Sequence, residues 1–129
     1  MSGVAERCNT YLKEDQGNAA IGTVLEEIFV MDVKRMDRIF IQIDLTGEAL
    51  TGFEVQGLAH PSGAHQTLYS ATGDFTSPAG MVVDASGDLT VLAVGTGWLI
   101  LDVRSLYEVK LLAKTLGGAG VSQVYAGGN

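Results

Sequence analysis

The stretch that most constrains this 129-residue chain is residues 97–113, which reads as a strand, a tight corner and a second strand. It holds the only tryptophan, Trp98, and the densest apolar run. Residues 98–103 are apolar except for Asp102, the composition of a strand buried on both faces or lying at the centre of a core. After Arg104 and Ser105, Tyr107, Val109, Leu111 and Ala113 alternate with Glu108, Lys110, Leu112 and Lys114. That period of two belongs to a strand with one face in the core and the other largely wet.

The rest of the chain follows the same grammar. Residues 38–45 give the cleanest alternation, with Ile39, Ile41, Ile43 and Leu45 on one face and Arg38, Phe40, Gln42 and Asp44 on the other. Residues 23–33 have some helical spacing, but their β-branched and aromatic content favours a strand. Further strands are expected at 49–58, 66–71, 81–83, 89–94 and 121–126, separated by turn-forming clusters. Eight or nine short strands at intervals of roughly 8–12 residues predict an all-β fold, an antiparallel β-sandwich of immunoglobulin-like or jelly-roll-like kind. Residues 1–22, polar and broken at Asp15-Gln16-Gly17-Asn18, read as an N-terminal arm, and 23–129 as one sandwich domain. Trp98, Phe40 or Phe53, and the row Ile39, Ile41, Ile43 are the expected centre of its core.

One internal echo stands out. Met31-Asp32-Val33-Lys34-Arg35-Met36 and Leu101-Asp102-Val103-Arg104-Ser105-Leu106 share the pattern apolar-Asp-Val-basic-x-apolar, each before an alternating strand. An Asp that bonds backbone N–H groups just ahead of it makes a corner of this kind. Either the two are related corners on the two sheets, or the likeness is chance.

Composition narrows the function. A net charge of −7, with only eight scattered basic residues, argues against nucleic acid or an anionic membrane as partner. A single cysteine, Cys8, excludes an internal disulfide and suits a reducing cytoplasm. Residues 1–7 lack a secretory signal pattern, and no apolar run nears the ~20 residues of a membrane helix. Charged residues are 18% of the chain, below the roughly 25% of an average domain, so either the core is generous or part of the surface is covered by a neighbour.

No motif points to catalysis, and no cofactor is expected. His60 and His65 flank one loop without a third ligand for a metal. Asp84-Ala85-Ser86-Gly87-Asp88 has oxygen donors but lacks the acid that completes a calcium loop, and reads as a turn. No serine sits in a nucleophile elbow, and Gly117-Gly118-Ala119-Gly120 is followed by no Lys-Ser/Thr. The adjacent Glu26 and Glu27 point to opposite faces of a strand.

Phe53-Glu54-Val55-Gln56-Gly57, His60-Pro61-Ser62-Gly63, Asp74-Phe75-Thr76-Ser77-Pro78, Ala85-Ser86-Gly87-Asp88-Leu89, Gly97-Trp98-Leu99-Ile100-Leu101-Asp102-Val103 and Val124-Tyr125-Ala126-Gly127-Gly128 resemble, in wording and layout, small β-sandwich virion proteins of tailed bacteriophages. Within that group the chain is most similar to head-decoration or cement proteins. The resemblance implies a non-enzymatic virion component, made in the host cytoplasm and bound to the major capsid protein or another virion protein. It implies a homo-oligomer, a trimer by preference. Tyr11, Leu12, His60, His65 and Phe75 are the contact residues expected on that reading. A neck, tail or fibre-associated component and a carbohydrate-binding module are the alternatives. A core position for Trp98 speaks against the last.

Overall fold

The computed structural model describes residues 12–70 and 82–129. Among these, nine strands form two antiparallel sheets packed face to face, the β-sandwich expected from the strand spacing. They are β1 (Leu12–Ile21), β2 (Glu26–Asp32), β3 (Arg38–Thr46), β4 (Leu50–Leu58), β5 (Gln66–Ser70), β6 (Val82–Ala85), β7 (Gly95–Asp102), β8 (Glu108–Thr115) and β9 (Gly120–Gly128). One sheet has the order β1-β9-β3-β7-β6, the other β2-β8-β4-β5.

The inner faces follow from period-two side-chain placement. Ile39, Ile41, Ile43 and Leu45 of β3 point inward, as do Leu99 and Leu101 of β7, and all are buried. From the opposite sheet Phe29, Met31, Phe53, Val55, Val109, Leu111 and Ala113 meet them. These interdigitating rows make one core.

The two corners anticipated from the Asp-Val echo are the places where the chain passes between sheets. The first joins β2 to β3, and the second joins β7 to β8. In each, the aspartate accepts from the backbone N–H two residues on, Lys34 N to Asp32 Oδ1 at 3.0 Å and Arg104 N to Asp102 Oδ1 at 3.2 Å. In each, the next valine carbonyl closes a turn, accepting from Met36 N at 2.9 Å and from Leu106 N at 3.0 Å. The corners are also bonded to one another: Val33 N donates to Tyr107 O at 3.0 Å, and Val103 N to Asp37 O at 2.9 Å. Equivalent strand ends stand 70 positions apart, as with Asp32 and Asp102, Arg38 and Glu108, Leu50 and Gly120. The sandwich is therefore built from two related halves. The two corners differ in backbone conformation at Ser105, whose φ of 76° has no positive counterpart in the first corner.

Three expectations need correction. Residues 12–21 are not part of an arm: they form β1, which pairs with β9 along its length and contributes buried Ile21 to the core. Residues 89–94 are not a strand. Asp88 caps a short 3-10 turn, Leu89–Val91, accepting from Thr90 N at 2.9 Å, and Leu92 O then takes a hydrogen bond from Leu50 N at 2.8 Å. Trp98 is not at the centre of the core. It lies on the outer face of the five-stranded sheet, as does Phe40, while Phe53 is the buried phenylalanine.

The neighbours Phe40 and Ile41 thus test the register directly. Ile41→Ala is expected to destabilise the fold by about 2–5 kcal/mol, and Phe40→Ala by about 1 kcal/mol or less. Denaturant unfolding of the two variants measures both. Equal losses would contradict the assignment of faces.

Candidate functional site: the outer face of the five-stranded sheet

The site is set by register. β3 is the central strand of its sheet, flanked by β7 and β9. Its outward residues run Arg38, Phe40, Gln42, Asp44. Phe40 lies across from Ile100 on one side and Gly127 on the other, and Gln42 lies across from Trp98 and Tyr125. Three aromatic side chains therefore surround Gln42, Phe40 on its own strand and Trp98 and Tyr125 on the strands either side. Phe40 and Trp98 stack with centroids 5.8 Å apart and planes inclined by 19°, a favourable cross-strand arrangement. Phe40 and Tyr125 are 43% and 42% exposed, large values for rings in mid-strand, and Trp98 and Ile100 are half-buried.

The backbone of Trp98 is held firmly. Its N–H donates to Ser86 Oγ and its carbonyl accepts from Ser86 N, both at 2.9 Å. Beneath it, a side chain at Gly97 would run into Leu89 and Leu92. Beside the aromatics lies a polar row in which Asp44 Oδ1 accepts from Gln42 Nε2 and Thr96 Oγ1, each at 3.0 Å. At the opposite margin an open cleft of about 340 Å³ is lined by Asp37, Arg38, Asp102, Arg104 and Asn129. There Arg104 grips Asp102 through Nε at 3.0 Å and Nη2 at 2.6 Å, which holds the Asp102 carboxyl below its ordinary range.

The other sheet differs at equivalent positions. Lys110 stands where the first half has Phe40, and Lys114 where it has Asp44. Its outer face carries polar contacts instead: Lys110 Nζ to Glu27 at 3.8 Å, Gln56 Nε2 to Glu54 at 2.5 Å, and Thr67 Oγ1 to Glu54 at 3.0 Å. Two related halves have acquired one wet face and one aromatic face.

Of the contact residues expected from sequence, Tyr11 and Phe75 lie outside the described residues. Leu12 begins β1 opposite Gly128, at the end of the sandwich where the corners meet. His60 and His65 sit in the β4–β5 loop at that same end, since Leu58 O accepts from Tyr107 N at 2.7 Å just past the second corner. His60 is exposed, and its Nδ1 accepts from Ser62 N at 3.1 Å. His65 is half-buried, with Nε2 2.5 Å from Glu108 Oε2, which ties the loop to β8. Asp84 and Asp88 are bonded to their own local backbone, and among the described residues no group of three or more His, Cys, Asp or Glu is placed to share a metal ion. Sequence reasoning missed the aromatic face, although Phe40, Gln42 and Asp44 were already on one side of the best alternating strand.

No protein-family model matches this chain, and no curated protein matches it. Among solved structures it is similar to the crystal structure of SPBc2 prophage-derived protein YomS, with a TM-score of 0.52 over 90% of this chain and 95% of that one. Sequence identity is 8%. What the two share is the fold.

At the far end of the sandwich the carboxylate of Glu48 accepts from Ala119 N at 2.8 Å and Gly117 N at 2.6 Å, bracing the β8–β9 loop. These backbone donors, Ala119 first, lower its pKa from the ordinary 4.5. A carboxylate whose native pKa is lowered stabilises the fold above its unfolded pKa and loses that effect as pH falls through the native value. Glu48→Gln is therefore expected to lower the melting temperature at neutral pH, with the gap to the parent chain closing in acid below 4.5. Melting curves across that range check it, and a gap that widens in acid would contradict it.

Proposed function

We propose that this chain is a non-enzymatic structural protein of a bacteriophage particle, which decorates or cements the capsid shell through repeated protein–protein contacts. The observation that carries this reading is the aromatic outer face of the five-stranded sheet, whose counterpart on the four-stranded sheet has Lys110 in place of Phe40. A face of this composition is suited to contact with another macromolecule. The fold likeness to a prophage-derived protein supports the phage setting. A decoration protein works by summing modest contacts over many copies on a symmetric surface, so affinity comes from repetition. We assign the shell contact to the corner end, where the start of β1, the His60–His65 loop and the charged cleft beside Arg38 come together.

A second reading, a carbohydrate-binding module, is favoured by one specific observation. Trp98 stands on the surface beside Gln42 and Asp44, an indole with hydrogen-bonding neighbours. Titration of Trp98 fluorescence with a panel of glycans tests that reading, and saturable quenching would support it over decoration.

Quantitative mass spectrometry of purified particles tests decoration itself. The expected result is one copy of this chain per shell subunit, or one per few subunits. About a dozen copies per particle would move the protein to the neck or tail, and absence from particles would overturn the virion reading.

A further inference from the structure

We propose that the aromatic face is where two copies of this chain meet, face to face about a two-fold axis that crosses β3 near Ile41. Three observations lead to this pairing. The first is charge. A chain with net charge −7 repels its own copies over most of its surface, but β3 crosses the centre of this face with a cation, Arg38, at one end and a carboxylate, Asp44, at the other. A two-fold axis perpendicular to the strand sets β3 antiparallel to its counterpart, so that Arg38 of each copy faces Asp44 of the other.

The second is shape. The same rotation exchanges the row Gly127, Phe40, Ile100 with the row Tyr125, Gln42, Trp98, both fixed by strand register. Tyr125 then falls over the space left by Gly127 of the other copy, Trp98 over Ile100, and Gln42 over Phe40. Tyr125 meets a glycine, Trp98 an apolar side chain and Phe40 the flat amide of Gln42, a fit suited to sheets packed about 10 Å apart. The third is the contrast between halves. The other sheet presents Lys110 on β8 where this one has Phe40, and the same rotation there would lay that charged side chain over Leu112 and bring no ring to the seam. One face brings its rings together under this rotation while its counterpart sets a lysine on an apolar side chain, which favours an isologous interface on the aromatic side. The unit is a two-fold pair, not the threefold grouping implied by resemblance to decoration proteins.

The pairing is measured on the isolated chain, so it stands or falls independently of particle copy number. Sedimentation equilibrium of the full chain is expected to show a reversible dimer at twice the 13.6 kDa of one copy. Arg38→Asp sets acid against acid at both ends and is expected to weaken dimerisation by about tenfold. Asp44→Arg acts likewise, and the double variant R38D/D44R restores the pairing with its charges exchanged. Phe40→Ser, an exposed position remote from the core, gives a second probe and is also expected to shift the chain toward monomer. Far-UV circular dichroism and thermal melting establish that each variant is folded. A parent chain that stays monomeric at high micromolar concentration would overturn the proposal, as would a trimer. A dimer indifferent to R38D and F40S would overturn it too, and so would a double variant no better than the singles.

Discussion

The sandwich depends on the reciprocal bond between its two corners. Val33 N donates to Tyr107 O, and Val103 N to Asp37 O, so each crossing between sheets is pinned by the other. The corner valines are themselves fully buried, which places these hydrogen bonds away from competing water. Everything downstream inherits their position. β3 and β8 start from the corners as the second strand of each half, and β9 and β4 pair beside them. A one-residue slip would send Ile39, Ile41 and Ile43 to solvent, so the core and the corners specify the same register.

With register fixed, the outer faces are free to diverge, because substitutions there do not disturb the core. The two halves have used that freedom differently. One central strand presents Arg38, Phe40, Gln42 and Asp44, and the other presents Glu108, Lys110, Leu112 and Lys114. In the second set Lys110 pairs with Glu27 and Glu108 with His65, beside a Gln56–Glu54 hydrogen bond on the neighbouring strand. The first leaves a stacked Phe40–Trp98 pair at the surface, with Ser86, just past the edge strand β6, holding the tryptophan backbone. A sheet that spends its aromatics outside the core gains little folding stability from them. In the pairing proposed for this face, their placement serves contact with another copy of the chain.

Much of this architecture was legible in the sequence, for reasons that also explain the failures. The row Ile39, Ile41, Ile43 alternates strictly with polar or exposed residues, so the strand and its inward face could be read together. The Asp-Val echo was readable because an aspartate bonding the backbone ahead of it is a local device. Trp98 was misplaced because its run, Trp98-Leu99-Ile100-Leu101, is apolar on both faces, and hydrophobicity alone does not separate an inner face from an apolar outer one. β1 was hidden because an edge strand is commonly charged and polar, and its pairing with β9 is a property of the partner strand. The segment at Leu89 has strand-like residues, but the Asp88 cap and the bond from Leu50 N to Leu92 O decide its conformation.

The central claim is that Trp98 belongs to an interaction surface and not to the core, and the chain offers a direct probe because it has one tryptophan. The measurement is acrylamide quenching of Trp98 emission, made at nanomolar dilution and again with chain concentration raised. The account predicts a quenchable indole in the dilute chain that becomes shielded as copies associate. An indole protected in the dilute, dissociated chain would return Trp98 to the core and contradict the account.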